Sequence, residues 1–192
     1  MSVITYNARV RPQFCFNDYQ NNAAVKEAIS KIRYSTGVTR TDLALQYARE
    51  YTFNTSTDCG AREGAAKVVL VVTDGNSTVP GFTIQQAEKL HESGPTVITV
   101  GIGAALSRKE LFAIASENSL VFRVNDFSLL DVIKNRVVAT ACMASLISPG
   151  YHDLCNAYCR SNMRCQMNVA SEVNMCECPP FTTYDPKNIV CL

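Results

Sequence analysis

Two short runs rich in β-branched and aromatic residues open the chain, Val3 to Tyr6 and Val10 to Phe16, with Asn7-Ala8-Arg9 between them. That arrangement predicts a hairpin. Pro12 lies within the second run and cannot donate a ladder hydrogen bond, which places that strand at a sheet edge. From Asn22 to Arg33, the apolar residues Val25, Ala28, Ile29 and Ile32 recur at helical spacing. Leu43, Tyr47, Ala48 and Tyr51 mark a second helix from about Asp42 to Tyr51.

The pattern then changes. Val68 to Val72 is an unbroken apolar run ending in Thr73-Asp74-Gly75, which suits a parallel strand covered on both faces. Thr83 with Gln86 forms a capping box that predicts the start of a helix, broken by Gly94-Pro95. A strand from Thr96 to Ile102 follows, then a second capping box, Ser107 with Glu110, opening a helix that ends near Ser116. A shorter strand, Leu120 to Val124, leads into a last helix from Phe127 to about Ala141. Strands alternating with helices predict an α/β fold with a doubly wound sheet and helices on both faces.

Composition narrows the class. The 192 residues carry 18 Lys and Arg against 17 Asp and Glu, a net charge of +1. Neither a nucleic-acid surface nor a polybasic membrane anchor is consistent with that balance, since both need a positive excess. Every apolar run is far shorter than a bilayer span. Cys15, Cys59 and Cys142 are scattered, whereas Cys155, Cys159, Cys165, Cys176, Cys178 and Cys191 crowd into the last forty residues. That density indicates a small disulfide-stapled fold and an oxidising compartment. Zinc is the competing reading, disfavoured because Cys176-Glu177-Cys178 is too tight for a usual zinc knuckle. No secretory segment precedes Val3, so the chain is expected to be a piece of a longer secreted protein or to start inside a domain.

Residues 2–142 resemble a von Willebrand factor type A domain of the kind found in matrilins and collagen-associated proteins. The likeness rests on Val3 to Tyr6, Phe16-Asn17-Asp18-Tyr19, Thr39 to Leu45, Val69 to Gly75, Val100-Gly101-Ile102-Gly103 and Asp126-Phe127. It implies a Rossmann-like sheet. Family members begin with a central strand ending in D-x-S-x-S, then a helix, and this chain contains no D-x-S-x-S. The chain is therefore expected to lack the first central strand and helix, leaving a slot between the hairpin and the Val68 strand.

The resemblance also implies a divalent cation, usually magnesium, at the C-terminal ends of the strands. The matching ligands are Thr39 and Asp74, and the rest of the family's set is missing. Two ligands are not a site, so no cofactor is expected in this chain, with magnesium reserved for a full-length parent. The plainer reading is a turn for Asp74-Gly75 and a helix N-cap for Thr39 or Thr41. Cys142 closes the last helix, where family members often bridge to a cysteine before the first strand. With that partner missing, Cys15 and Cys59 are expected to pair with each other. Cys142 is then the odd cysteine, open to an intermolecular disulfide. Asn54-Thr55-Ser56 and Asn76-Ser77-Thr78 are glycosylation sequons, Asn54 the better candidate because it lies in a polar loop, while a glycan on Asn76 beside Asp74 would count against ligand binding there.

The last six cysteines, separated by three, five, ten, one and twelve residues, resemble an epidermal growth factor-like (EGF-like) module. That resemblance implies the pairs Cys155–Cys165, Cys159–Cys176 and Cys178–Cys191. Only Asp153 precedes Cys155, and Asn168 has no matching aromatic, so the module is read as structural and not calcium-dependent. The expected organisation is a type A domain over 1–142, a linker over 143–151 and the EGF-like module over 152–192.

By resemblance, the chain is a secreted, non-enzymatic matrix or adhesion protein whose partners are collagens or other matrix components, mineralised matrices being one admitted setting. Two alternatives stand beside it: a non-functional or regulatory fragment of a larger matrix protein, and an enzyme on a Rossmann-like sheet. The enzyme reading lacks a full G-x-G-x-x-G and would have to build any base on His91 or His152.

Overall fold

The computed structural model describes residues 1–146 and, beyond them, the backbone of four strands between 164 and 191. The chain divides into two units, Met1–Ala141 and Cys142–Leu192. In the first, β1 (Val3–Tyr6) and β2 (Val10–Phe14) form the expected antiparallel hairpin, with Tyr6 opposite Val10. A separate parallel sheet contains β3 (Val68–Thr73), β4 (Thr96–Ile102) and β5 (Val121–Val124), in that order. No ladder joins the hairpin to it among the described residues.

Register assigns the two faces of the sheet. Val69 lies opposite Val97 and Val71 opposite Thr99, so these four share one face. Helices α2 (Thr41–Tyr47), α3 (Pro80–Glu92) and α4 (Arg108–Ile114) supply the cover. The resulting core joins Leu45, Val71, Ala87, Leu90, Val97 and Ile114. A Cβ at Gly101 would sit 2.6 Å from Leu111 Cδ1, so any side chain there would have to displace the buried Leu111 tip between α4 and β4. On the other face, Ile98, Val100 and Phe122 are buried. Helix α5 (Leu130–Leu146) approaches there: Ile133 and Val137 are buried and the Arg136 guanidinium lies 5.7 Å from the Phe122 ring centroid.

Several expectations change on inspection of the packing. β3 is covered on one face only, because Leu70 and Val72 are each 47% exposed on the other. The first helix, α1 (Asn22–Ser30), ends before Arg33 and buries none of its residues. Its apolar stripe stays at most half-buried, and local capping helps hold it: Asn21 Oδ1 accepts from Ala24 N at 2.9 Å. The second helix leaves α-geometry after Tyr47. Residues Ala48–Thr52 form a π-turn in which Phe53 N donates to Ala48 O at 3.0 Å, stacking Tyr47 on Tyr51. Thr83 is not a cap. Helix α3 begins at Pro80, a residue suited to a first turn, and Thr83 is fully buried with its hydroxyl on that of Ser77. Ser107 does cap α4, accepting from Glu110 N at 3.3 Å. Helix α5 runs on to Leu146, into the segment assigned to a linker, because the first breaker is Pro149.

In the second unit, β6 (Arg164–Asn168) pairs antiparallel with β7 (Val173–Glu177), placing Cys165 opposite Cys176 in the ladder. β8 (Tyr184–Asp185) pairs with β9 (Val190–Cys191). The three bridges and the boundary expected here lie outside the described residues. Among the described residues no helix is long and apolar enough to cross a membrane.

Candidate functional site

Open α/β sheets carry their chemistry on the loops beyond the carboxyl ends of the strands. Three segments meet there: residues 74–79 after β3, 103–107 after β4, and 35–40 before α2. Thr39 is clamped to the first of them. Its N–H donates to Thr78 Oγ1 at 3.0 Å, and its carbonyl accepts from Thr78 N at 2.9 Å. A Cβ at Gly75 would lie 3.2 Å from Thr39 Oγ1, so the two loops touch beside Asp74. Thr39 and Asp74 thus come from distant positions to one crest, with Asp74 exposed.

Three further side chains hold that crest in shape. Glu110 reaches inward from α4, and its Oε1 accepts from the buried Ser77 N–H at 2.8 Å. Asn76 Oδ1 accepts from Ser107 N at 2.6 Å while its Nδ2 donates to Ala105 O at 3.3 Å, tying the β3 loop to the β4 loop. Gly103 has φ of +124°, a conformation glycine supplies cheaply. Asn7 does the same for the hairpin tip. Its Nδ2 donates to Ser35 Oγ at 2.7 Å and Thr36 O at 2.8 Å, and its carbonyl accepts from Arg40 N at 3.1 Å.

Sequence reasoning passed over Asn7, which looked like an ordinary turn residue, and Glu110, which looked like half of a capping box. Only the tertiary packing reveals that Glu110 turns its carboxylate away from the cap.

The hydroxyls of Tyr6, Thr41 and Thr73 lie near one another beside the crest. Burial raises the Tyr6 phenol above its ordinary value, and the negative charges of Asp74 and Glu110 push the same way. The Thr41 and Thr73 hydroxyls nearby oppose that shift. Even so, neither Tyr6 OH nor the Thr41 hydroxyl closes a hydrogen bond of good geometry.

The donors at the crest do not make a cage for magnesium. One carboxylate and one neutral hydroxyl face an ion that wants octahedral oxygen and gives up water reluctantly. Among the described residues, no three His, Cys, Asp or Glu side chains gather to hold a metal.

The remaining candidates fall elsewhere. Cys15 and Cys59 are joined, with Cα atoms 4.8 Å apart, linking the end of β2 to the loop before β3. Asn54 is exposed, and its Oδ1 accepts from Ser56 N at 2.9 Å in a local turn. His91 Nε2 donates to Ile114 O at 2.9 Å, tying α3 to α4. His152 lies outside the described residues.

Comparison with known proteins agrees with this geometry. The family model of the von Willebrand factor type A domain matches residues 1–136. Matrilin-3 of Gallus gallus is 28% identical over 197 residues, covering 100% of this chain and 40% of the relative. The collagen alpha-5(VI) chain of Homo sapiens is 34% identical over 145 residues, covering 74% of this chain and 5% of that one. A solved structure of proximal thread matrix protein 1 from the mussel byssus, with a zinc-occupied MIDAS motif, superposes with a TM-score of 0.64 at 31% identity. The match covers 73% of this chain and 34% of that chain. The chain thus spans well under half the length of these relatives.

Proposed function

Because the chain belongs to the von Willebrand factor type A domain family, we propose that it is an extracellular matrix or adhesion component that binds protein partners through the crest around Thr39 and Asp74. The observation that carries this reading is the convergence of the 35–40, 74–79 and 103–107 loops into one hydrogen-bonded rim at the carboxyl ends of the strands. Matrix and adhesion proteins among the relatives support it, matrilins and a collagen VI chain foremost. Collagens and other matrix proteins are the proposed partners, and the role is non-enzymatic. His91 ties α3 to α4 through the Ile114 carbonyl.

Recognition in this chain does not depend on a bound cation. The rim offers backbone groups and hydroxyls to a partner, with Asp74 as its exposed carboxylate. Asn54 is the proposed glycan site. Asn76 is the poorer one, because its amide already ties two loops together. The six-cysteine tail is proposed to be an EGF-like spacer. Solid-phase binding to collagens and other matrix proteins, comparing the chain with Thr39→Ala/Asp74→Ala, tests the reading.

A further inference from the structure

Charge is distributed unevenly along this nearly neutral chain. Residues 1–40 hold six basic residues and two acidic ones, a net +4 against +1 for the whole. Both acids are engaged locally: Asp18 Oδ2 accepts from Cys15 N at 2.8 Å, and Glu27 pairs with Lys31 at 2.6 Å. Arg40 is matched by Asp42, through Nε at 2.9 Å and Nη2 at 2.7 Å. Arg9, Arg11 and Arg33 have no such match. Among the described residues none of them has a carboxylate within 4.0 Å, and all three are exposed.

The bonds of Asn7 bring together the chain segments that carry these three. Arg9 N and Arg11 Nη1 both donate to Asn7 Oδ1, at 3.1 Å and 2.9 Å. Arg33 lies two residues before Ser35, whose hydroxyl accepts from Asn7 Nδ2 at 2.7 Å. Tyr34, next to Arg33, is 89% exposed. Like charges held together without counter-ions oppose folding. A guanidinium presents five donors in a planar fork that fits sulfate and carboxylate oxygens, and one neutral acceptor at Asn7 leaves most of them unused.

We propose that the hairpin tip, with exposed Arg9, Arg11 and Arg33 on the chain segments that meet at Asn7, is a binding site for a sulfated polysaccharide. A repeating polyanion suits exposed guanidinium groups set around one tip, because counter-ion release supplies the affinity and no apolar side chain need be buried. The site adjoins the protein-binding crest, because Asn7 bonds to the 35–40 segment, but it uses neither Thr39 nor Asp74 and needs no cation.

The test uses the full 192-residue chain and low-molecular-weight heparin as probe, by titration across a salt series with and without EDTA. The expected result is binding that weakens steeply with salt and is indifferent to EDTA. In Arg9→Ala/Arg11→Ala/Arg33→Ala, affinity should fall at least tenfold and the logarithmic salt slope should drop by roughly two to three. Arg11 touches Asn7, so Arg9→Ala/Arg33→Ala serves as a second variant with that contact intact. A charge-matched Lys89→Ala/Lys109→Ala/Lys134→Ala control should bind like the parent. Unchanged affinity in both arginine variants would overturn the proposal, as would an equal loss in the lysine control. Tighter binding of a poly-glutamate peptide than of heparin would also overturn it, and would identify an acidic peptide as the ligand.

Discussion

Ser77 and Glu110 are joined by a buried hydrogen bond: the Ser77 backbone N–H donates to Glu110 Oε1 at 2.8 Å, linking the loop after β3 to the first turn of α4. Each residue is under a tenth exposed, Ser77 at 8% and Glu110 at 6%. Removing the carboxylate leaves a buried donor unpaired. Glu110→Ala is therefore expected to lower unfolding stability by about 2–3 kcal/mol, and Glu110→Gln, which keeps an acceptor, by clearly less. Urea unfolding followed by circular dichroism measures both. Equal stability of the two variants would show that the bond contributes little.

The Cys15–Cys59 bridge closes a loop across a sequence separation of 44 residues. Chain entropy assigns such a closure up to about 4 kcal/mol. Cys15→Ala/Cys59→Ala should lose stability on that scale, and thermal unfolding at fixed pH without added reductant measures it.

Tyr6 predicts an alkaline limit. Its hydroxyl is sealed from solvent without a hydrogen bond of good geometry, and burial raises its pKa. A raised folded pKa means that the folded state holds the proton more tightly than the unfolded chain. The contribution is therefore fully present below the unfolded value of about 10 and is lost as pH rises through the folded value. Tyr6→Phe removes the unpaired hydroxyl, so it should cost little at neutral pH and extend stability further above pH ~10. Absorbance at alkaline pH, recorded alongside circular dichroism, should show Tyr6 ionising only with unfolding.

β3 pairs with β4 alone among the described residues, and carries no charge from Val68 to Thr73. An uncharged apolar edge templates pairing between chains. Leu70→Lys places a charge at a half-exposed position and should raise the monomeric fraction in light scattering, with a stability change within about 1 kcal/mol. Unchanged association would place the sticky surface elsewhere.

Much of this fold was legible along the chain because local patterns and tertiary packing agree. The apolar run of β3, the Ser107 cap of α4 and the hairpin at Asn7 to Arg9 appear where the spacing puts them. Thr83 misleads because a buried hydroxyl bonded to Ser77 has the same sequence signature as a cap. The stripe on α1 misleads for a different reason: periodicity reports which face could be buried, and Val25, Ala28 and Ile29 are at most partly covered. At the crest, motif spacing picks out Thr39 and Asp74. The residues that position them, Asn7, Asn76 and Glu110, act over separations of about thirty residues that no local pattern encodes.

The most direct test of the crest as a partner-binding surface is surface plasmon resonance of the 192-residue chain over immobilised collagen VI and other matrix proteins. Runs would be made in EDTA and again in magnesium, for the parent and for Thr39→Ala/Asp74→Ala. Saturable binding to at least one partner is predicted, equal in both buffers and weakened at least tenfold in the crest variant. Binding that survives the crest variant, that requires magnesium, or that is absent for every partner would contradict the account.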